Sequence, residues 1–480
     1  MKTKNRFAIL GLLFVALTTL NYCTKETEPN TIPEVSAVEE IIGMTGTTIN
    51  ISATAADPDN NQLSLNWTTE ESPAGSAPTI TASGNSASFT AAVAGFYRVK
   101  VTADDGNGGS ASAIIKLYIG GILPTSITTN TSYPDLFDDV KYPDYYAVNS
   151  LQATAGVTFA PGVVVECGPD VRLWFSGNTS FINAEGTDAK NIIFRGIDKV
   201  RGSWRLIEIN SNNLSNKLAY VQIMHAGSTE SSNQKTAILV KSNVSGRLSI
   251  TNTSISLSDG YAVYIDGNTG SFPEFANNNF SNNTLAPMRI GAEALLAIDK
   301  ASVYTGNGTQ AIEVVSAGNT NVRFDDPGTI KAAGVPYHIL SSLELRDEIT
   351  FEPGVTCLFD AGLRLWVTSD GAMIADGTAA NKITFSGLAQ NPGAWWGIEL
   401  ASPSTSNNIN HGVISYGGDP AGRGGNIYMV GATPGSRLMI TNSTISNSAT
   451  YGILKAAGTT NLSEGSNNFS GNAAGNIHQN

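Results

Sequence analysis

TFAPGVVVECGPDVRLWFSGNTSFINAEGTDAKNIIFRG, residues 158–196, returns as TFEPGVTCLFDAGLRLWVTSDGAMIADGTAANKITFSG, residues 350–387. Thr158, Phe159, Pro161, Gly162 and Val163 match Thr350, Phe351, Pro353, Gly354 and Val355, and Arg172-Leu173-Trp174 matches Arg364-Leu365-Trp366. After one deletion, Ala184, Gly186 and Thr187 match Ala375, Gly377 and Thr378. The match extends outward in both directions. Trp204 with Ile207-Glu208-Ile209 returns as Trp395 with Ile398-Glu399-Leu400. GRLSITNTSISLSDGYAV (246–263) returns as SRLMITNSTISNSATYGI (436–453), and Asn278-Asn279-Phe280-Ser281 returns as Asn467-Asn468-Phe469-Ser470. Upstream, Tyr145 and Tyr337 each open a short apolar run. Most of the chain beyond residue 140 is therefore one long unit used twice.

The strands inside this unit are short. Val163–Val165, Leu173–Phe175, Ile192–Phe194, Ile207–Ile209, Val221–Ile223 and Ile238–Val240 are apolar, with Gly, Asn, Ser and Asp between them. No segment carries a convincing helical period, so the strands are not joined as βαβ units. Strands of three to five residues linked by polar turns along one direction suit a parallel β-helix, with coils stacked about 4.8 Å apart. Asn252, Asn278, Asn442 and Asn467 sit at strand ends, where stacked amides would bond along the axis.

Composition agrees. The 480 residues include 49 glycines and only 14% charged residues, which favours strands and turns over helices. A formal charge of −12 gives no electrostatic support for binding nucleic acid. Of three cysteines, Cys167 aligns with Phe359 and Cys357 with Val165, so both are expected as buried free thiols.

At the N-terminus, Lys2, Lys4 and Arg6 precede an apolar run, Phe7–Leu20, too short for a stable membrane span. The run ends at Leu20-Asn21-Tyr22-Cys23, which resembles the lipobox of bacterial lipoproteins. The resemblance implies export, cleavage before Cys23 and lipidation of Cys23 (residues 1–23 a leader, 24–30 a tether). Tyr22 departs from the small residue usual there. The implied location is the cell envelope, as an outer-membrane lipoprotein, periplasmic or surface-exposed; with an ordinary secretory leader the protein is secreted instead.

Residues 31–120 form a separate module. Leu63-Ser64-Leu65-Asn66-Trp67 and Phe96–Val101 alternate at period two, and turn clusters stand at Asp57-Pro58-Asp59-Asn60 and Asp104-Asp105-Gly106. Short strands at this spacing suggest a small β-sandwich. The patterns A-x-D-P-D-N-x-Q-L-x-L-x-W and G-F-Y-x-V-x-V-x-A-D-D-G-N-G-G resemble PKD or cadherin-like Ig-fold modules of secreted bacterial proteins. Asp57, Asp59, Asp104 and Asp105 offer the hard oxygen ligands that calcium takes, although turn formation alone also explains them. No other cofactor is implied. Residues 121–144, punctuated by Pro124, Pro134 and Pro143, are expected as a linker that caps the next domain.

The duplicated region, 145–480 with units near 145–290 and 337–480, resembles right-handed parallel β-helix proteins of the pectate-lyase-like superfamily. The residues that carry the resemblance are TF-x-PGV, R-L-W, A-x-G-T, W-x-x-I-E-[IL] and RL-x-ITN-[TS]. The expected fold class is thus all-β, a small Ig-like β-sandwich followed by a right-handed parallel β-helix. That fold hosts lyases, hydrolases and adhesins, so fold alone fixes no activity. The aspartate sets and cationic base of its enzymes find no matching motif here. His225, His338, His411 and His478 are scattered; His225 aligns with Tyr416 and His411 with Tyr220.

Alternation offers an outward constellation. With Leu173 and Phe175 inward, Arg172 and Trp174 point out, as do Arg364 and Trp366, and Glu208 and Glu399 follow the same rule. An aromatic face beside a guanidinium suits a sugar ring bearing carboxylate or sulfate, although tryptophans packed under crossing loops with arginines across them as local cation–π pairs would give the same pattern. Trp204, Trp395 and Trp396 are expected to add aromatic area. The expected function is extracellular binding or adhesion to a polysaccharide or other surface ligand, with the membrane engaged through the lipid. The alternative is a polysaccharide lyase or glycoside hydrolase.

Overall fold

The computed structural model describes residues 28–480, apart from 319, 432–434 and 459. The leader, Cys23 and most of the tether lie outside the described residues. Among the described residues, no helix is long and apolar enough to cross a membrane.

The N-terminal module is a two-sheet sandwich. Strands 34–37, 48–56, 86–90 and 79–83 form one antiparallel sheet. Strands 64–71, 95–104 and 110–122 form the other, with 40–44 pairing in parallel onto 110–122. Period-two alternation buries Tyr97, Val99, Val101 and Ala103 between the sheets. Trp67 joins that core and its indole donates to the Gly84 carbonyl at 3.2 Å.

The expected linker and cap at 121–144 takes a different form. Strand Ser110–Ile122 does not end at the module: Gly121 and Ile122 pair in parallel with Tyr145 and Tyr146. One strand thus belongs to both domains. Residues 126–127 and 131–133 already pair as strands with 151–153 and 156–159. The prolines mark turns within the first coil rather than a linker ahead of it. The join is packed by Tyr118 stacked on Tyr142 at 3.4 Å and by a Lys141–Glu40 ion pair. Asp144, fully buried, accepts from the amides of Leu136, Phe137 and Val164 at 2.6, 3.0 and 2.7 Å.

From there the chain winds with three strands per turn. In the first half, strands 145–147, 151–153 and 156–159 each pair in parallel with the strand three further on. The result is long parallel sheets enclosing one apolar core, a topology compatible with a parallel β-helix. The repeated motifs are the turns of this winding. Gly162 and Gly354 sit at φ +99° and +93°, where a side chain would be strained. Thr187 and Thr378 accept from the Lys190 and Asn381 amides, both at 3.0 Å, closing the A-x-G-T turn.

Asparagines tie coil to coil, partly amide to amide, as where Asn283 Nδ2 donates to Asn307 Oδ1 at 3.0 Å and Asn442 Nδ2 to Asn410 Oδ1 at 2.9 Å, and partly through backbone. Buried Asn278 accepts from Thr253 N at 3.1 Å and donates to Ile250 O at 3.0 Å; Asn467 does the same with Ser443 N and Ile440 O. Asn252 and Asn442 instead adopt left-handed turn conformations (φ 49° and 51°). That is a conformation asparagine tolerates better than most residues.

The two units are not set one above the other. In the first, Tyr145 lies on the sheet that grows from the sandwich, and Arg172–Ser176 lies on the next. Among the described residues, that second sheet alone runs on through both halves, as fourteen strands. In the second unit, Tyr337 lies on this through-going sheet, and Arg364–Val367 lies on a new seven-stranded sheet. The second unit is therefore turned by one sheet. The turn is made in residues 291–336, where a six-residue helix, Ala292–Ala297, stands in the winding between strands 288–290 and 303–305. This helix was not expected from the sequence. Strand 312–314 is the pivot, pairing with 288–290 on one side and 337–339 on the other.

Candidate functional site

In the first unit, Leu173 and Phe175 are buried in the core and Arg172 and Trp174 face out, half-buried. Trp174 is the register partner of Glu208 on the next coil. The Arg172 guanidinium lies 4.2 Å from the Trp174 ring and its Nη1 is 3.3 Å from Glu208 Oε2. Glu208 faces outward yet is only 7% exposed. A carboxylate so enclosed needs a cation, and Arg172 supplies one. Leu239 continues the column, fully buried.

The second unit repeats this set and enlarges it. Trp366 partners Glu399, and Glu399 partners Tyr428 on the following coil. Arg364 lies 4.7 Å from the Trp366 ring and 5.8 Å from Trp396, and pairs with Glu399. Arg423, on the loop before Tyr428, reaches the same carboxylate at 3.3 Å and lies 5.6 Å from the Tyr428 ring. Both sets thus hold together as expected, but on different sides of the stack.

Trp204 and Trp395 do not join these faces. Both are fully buried, their indoles donating to Met224 O at 2.7 Å and Ser415 O at 2.9 Å, and Trp395 stacks on Phe359 at 4.3 Å. They stand just before their strands, where alternation does not apply, and the turn aims them inward. Trp396 is half-buried beneath Gly422, whose Cβ would sit 2.6 Å from its ring. His225 and Tyr416 share a left-handed corner (φ 67° and 60°), as do His411 and Tyr220 (48° and 52°). His225 is enclosed in the fold. It is 7% exposed with Nδ1 unpartnered, and burial, then Arg195, Lys199 and Arg201, lowers its pKa.

The sandwich aspartates serve the turns. Asp57 Oδ1 accepts from Asp59 N and Asn61 N at 2.9 and 3.0 Å, and Asp104 Oδ1 accepts from Gly106 N at 2.8 Å. Asp105 takes Asn107 N, Gly109 N and the Asn30 amide, and the Asn30 bond is the chief reason its pKa is lowered. Asp59 accepts from Thr31 N at 2.7 Å. Among the described residues, no group of three or more His, Cys, Asp or Glu is placed to hold a metal ion. Cys167 and Cys357 are free and buried, and burial raises both thiol pKa values.

The turn between the units builds a cluster that sequence reasoning missed. Arg289, Glu313 and His338 are successive register partners on the through-going sheet. Arg289 Nη1 donates to Glu313 Oε2 at 2.9 Å and to the Tyr261 hydroxyl at 3.2 Å, while His338 Nε2 meets Asp360 Oδ1 at 2.8 Å. Burial, then the Glu313 charge, pushes the Tyr261 hydroxyl up to about 12. Arg289, Val315 and Gly318 are shared by two adjoining cavities of about 530 and 390 Å³. No motif announces this row, because its three members share a sheet only through the pivot strand.

No curated protein and no solved structure matches the chain. Residues 30–118, the span of the sandwich, match the family model of a bacterial Ig domain.

Proposed function

We propose that this chain is an exported binding or adhesion protein of the cell envelope, anchored in the outer membrane by a lipid on Cys23. In this reading the Ig-like module carries a right-handed parallel β-helix of the pectate-lyase-like kind, whose outward faces bind carbohydrate. The strong preference for right-handed connections between parallel strands supports the hand. The observation that carries the reading is the strand Ser110–Ile122, which joins module and stack into one continuous sheet. Such a join makes a stiff arm holding the Arg–Trp–Glu faces at fixed places. Half-buried tryptophans with guanidiniums over them give a sugar ring an apolar plane and polar donors at its edge.

One observation favours the second reading, a polysaccharide lyase or hydrolase. The Tyr261–Arg289–Glu313 and His338–Asp360 groups gather on one sheet beside a cavity. There Tyr261 would serve as a proton donor rather than a base at neutral pH. Incubating the full chain with acidic and neutral polysaccharides, with and without calcium, and weighing the soluble products by mass spectrometry separates the two. Binding without shortened chains is expected; shortened chains abolished by Arg289→Gln would replace binding with catalysis.

A further inference from the structure

We propose that the face of the second unit, and not its counterpart in the first, holds a saccharide bearing an anionic group. The proposal rests on the binding reading above and locates its site. The difference is one of charge. In the first unit a single guanidinium, Arg172, meets a single carboxylate, Glu208. In the second, Arg364 and Arg423 share Glu399, so one positive charge is left over. The side chain of Glu399 is 7% exposed and that of Arg423 is 53% exposed, so the surplus cation stands at the surface above its buried partner. In a chain of net charge −12, that is an unusual place for an anion to be welcome.

The aromatic surface differs in the same direction. Trp366 and Tyr428 flank Glu399 on the coils before and after it, so the two rings are separated by about two strand spacings, roughly 10 Å. A glycan lying along the stack axis would meet both rings with Arg423 between them. In the first unit the position of Tyr428 is taken by Leu239, which is fully buried. Arg423 is delivered by the glycine-rich loop 417–425, whose Gly422 lies flat on Trp396. Gln234 stands at the matching distance before strand 236–240. The guanidinium fork of Arg423 suits carboxylate and sulfate alike.

The test is calorimetric titration of the full chain in detergent with oligomers of dextran sulfate, polygalacturonate and dextran. The sulfated and carboxylated oligomers separate the two anionic groups; dextran is the neutral control. Arg423→Gln and Tyr428→Ala are each expected to weaken binding of a charged oligomer at least tenfold. Arg172→Gln and Trp174→Ala should weaken it clearly less, Arg247→Gln, exposed and outside both faces, should stay within twofold, and added salt should weaken the parent. Arg423→Lys keeps the charge without the fork and should fall between, with unfolding temperatures confirming that each variant folds. Equal losses from both faces, or dextran bound as tightly as the charged oligomers, would overturn this proposal and leave carbohydrate binding standing. No binding of any oligomer would overturn both.

Discussion

The two units share a scaffold and differ in what they display. Trp204 and Trp395 fill the same corner with the same indole bond to a backbone carbonyl, and Gly162 and Gly354 make the same left-handed turn. The inward residues and turns are dictated by the winding, so a copied unit keeps them. The outward positions are free to diverge. Around Glu208 there is one arginine and one outward-facing aromatic; around Glu399 there are two arginines, with Trp366, Trp396 and Tyr428. Where the scaffold is equal and the surface is not, the surface difference is the better guide to function.

The largest effects should fall on the shared scaffold and fall equally. Trp204→Ala and Trp395→Ala are each expected to cost about 3–5 kcal/mol in chemical denaturation. A gap between them beyond roughly 1.5 kcal/mol would show that the corners are packed differently.

Asp144 sharpens the comparison at the start of each unit, because Pro336 stands in its place in the second. Burial outweighs its three amide bonds and pushes its carboxyl up to about 6. A folded pKa above the unfolded value means that this group's contribution to stability is fully present below about pH 4 and is lost as pH rises through about 6. Relative to Asp144→Asn, the parent should lose up to about 3 kcal/mol between those limits. Unfolding temperatures of the two proteins across that range give the answer, and a difference that does not change with pH would break the assignment.

Asn278→Ala should cost about 1–3 kcal/mol, because it orphans a buried amide and carbonyl. Asn467→Ala should cost less, since its site is half-exposed in the last coil. The smallest effect is expected at Arg423→Gln, within about 0.5 kcal/mol, as for most exposed side chains. A larger loss would make Arg423 a structural strap rather than a ligand contact.

Much of this was legible in the sequence. Period-two alternation placed Leu173 and Phe175 inside and Arg172 and Trp174 outside, and the turn motifs were visible as repeats. The burial of Trp204 and Trp395 was not, because residues just before a strand follow the turn and not the alternation. Arg423 was missed because its partner is set by the path of a glycine-rich loop; the signal was a single arginine in GGDPAGRGG with no counterpart in the first unit. The rotation between units was invisible for a different reason. It depends on how many strands residues 291–336 make, and that stretch has no match elsewhere in the chain.

The rotation also decides whether the two faces share a side, so it is the claim to test first. Glu313 and His338 are register partners across the pivot. In neighbouring parallel strands, Cα atoms lie within disulfide reach. Had the second unit continued in line with the first, His338 would instead lie beside Thr305, at the end of the sheet that grows from the sandwich. Two double variants, Glu313→Cys with His338→Cys and Thr305→Cys with His338→Cys, can be oxidised under mild conditions and digested for disulfide mapping. The native Cys167 and Cys357 are buried and should stay inert. A 313–338 bridge with no 305–338 bridge is the predicted result; a 305–338 bridge in its place would contradict the rotation and set both faces on one side.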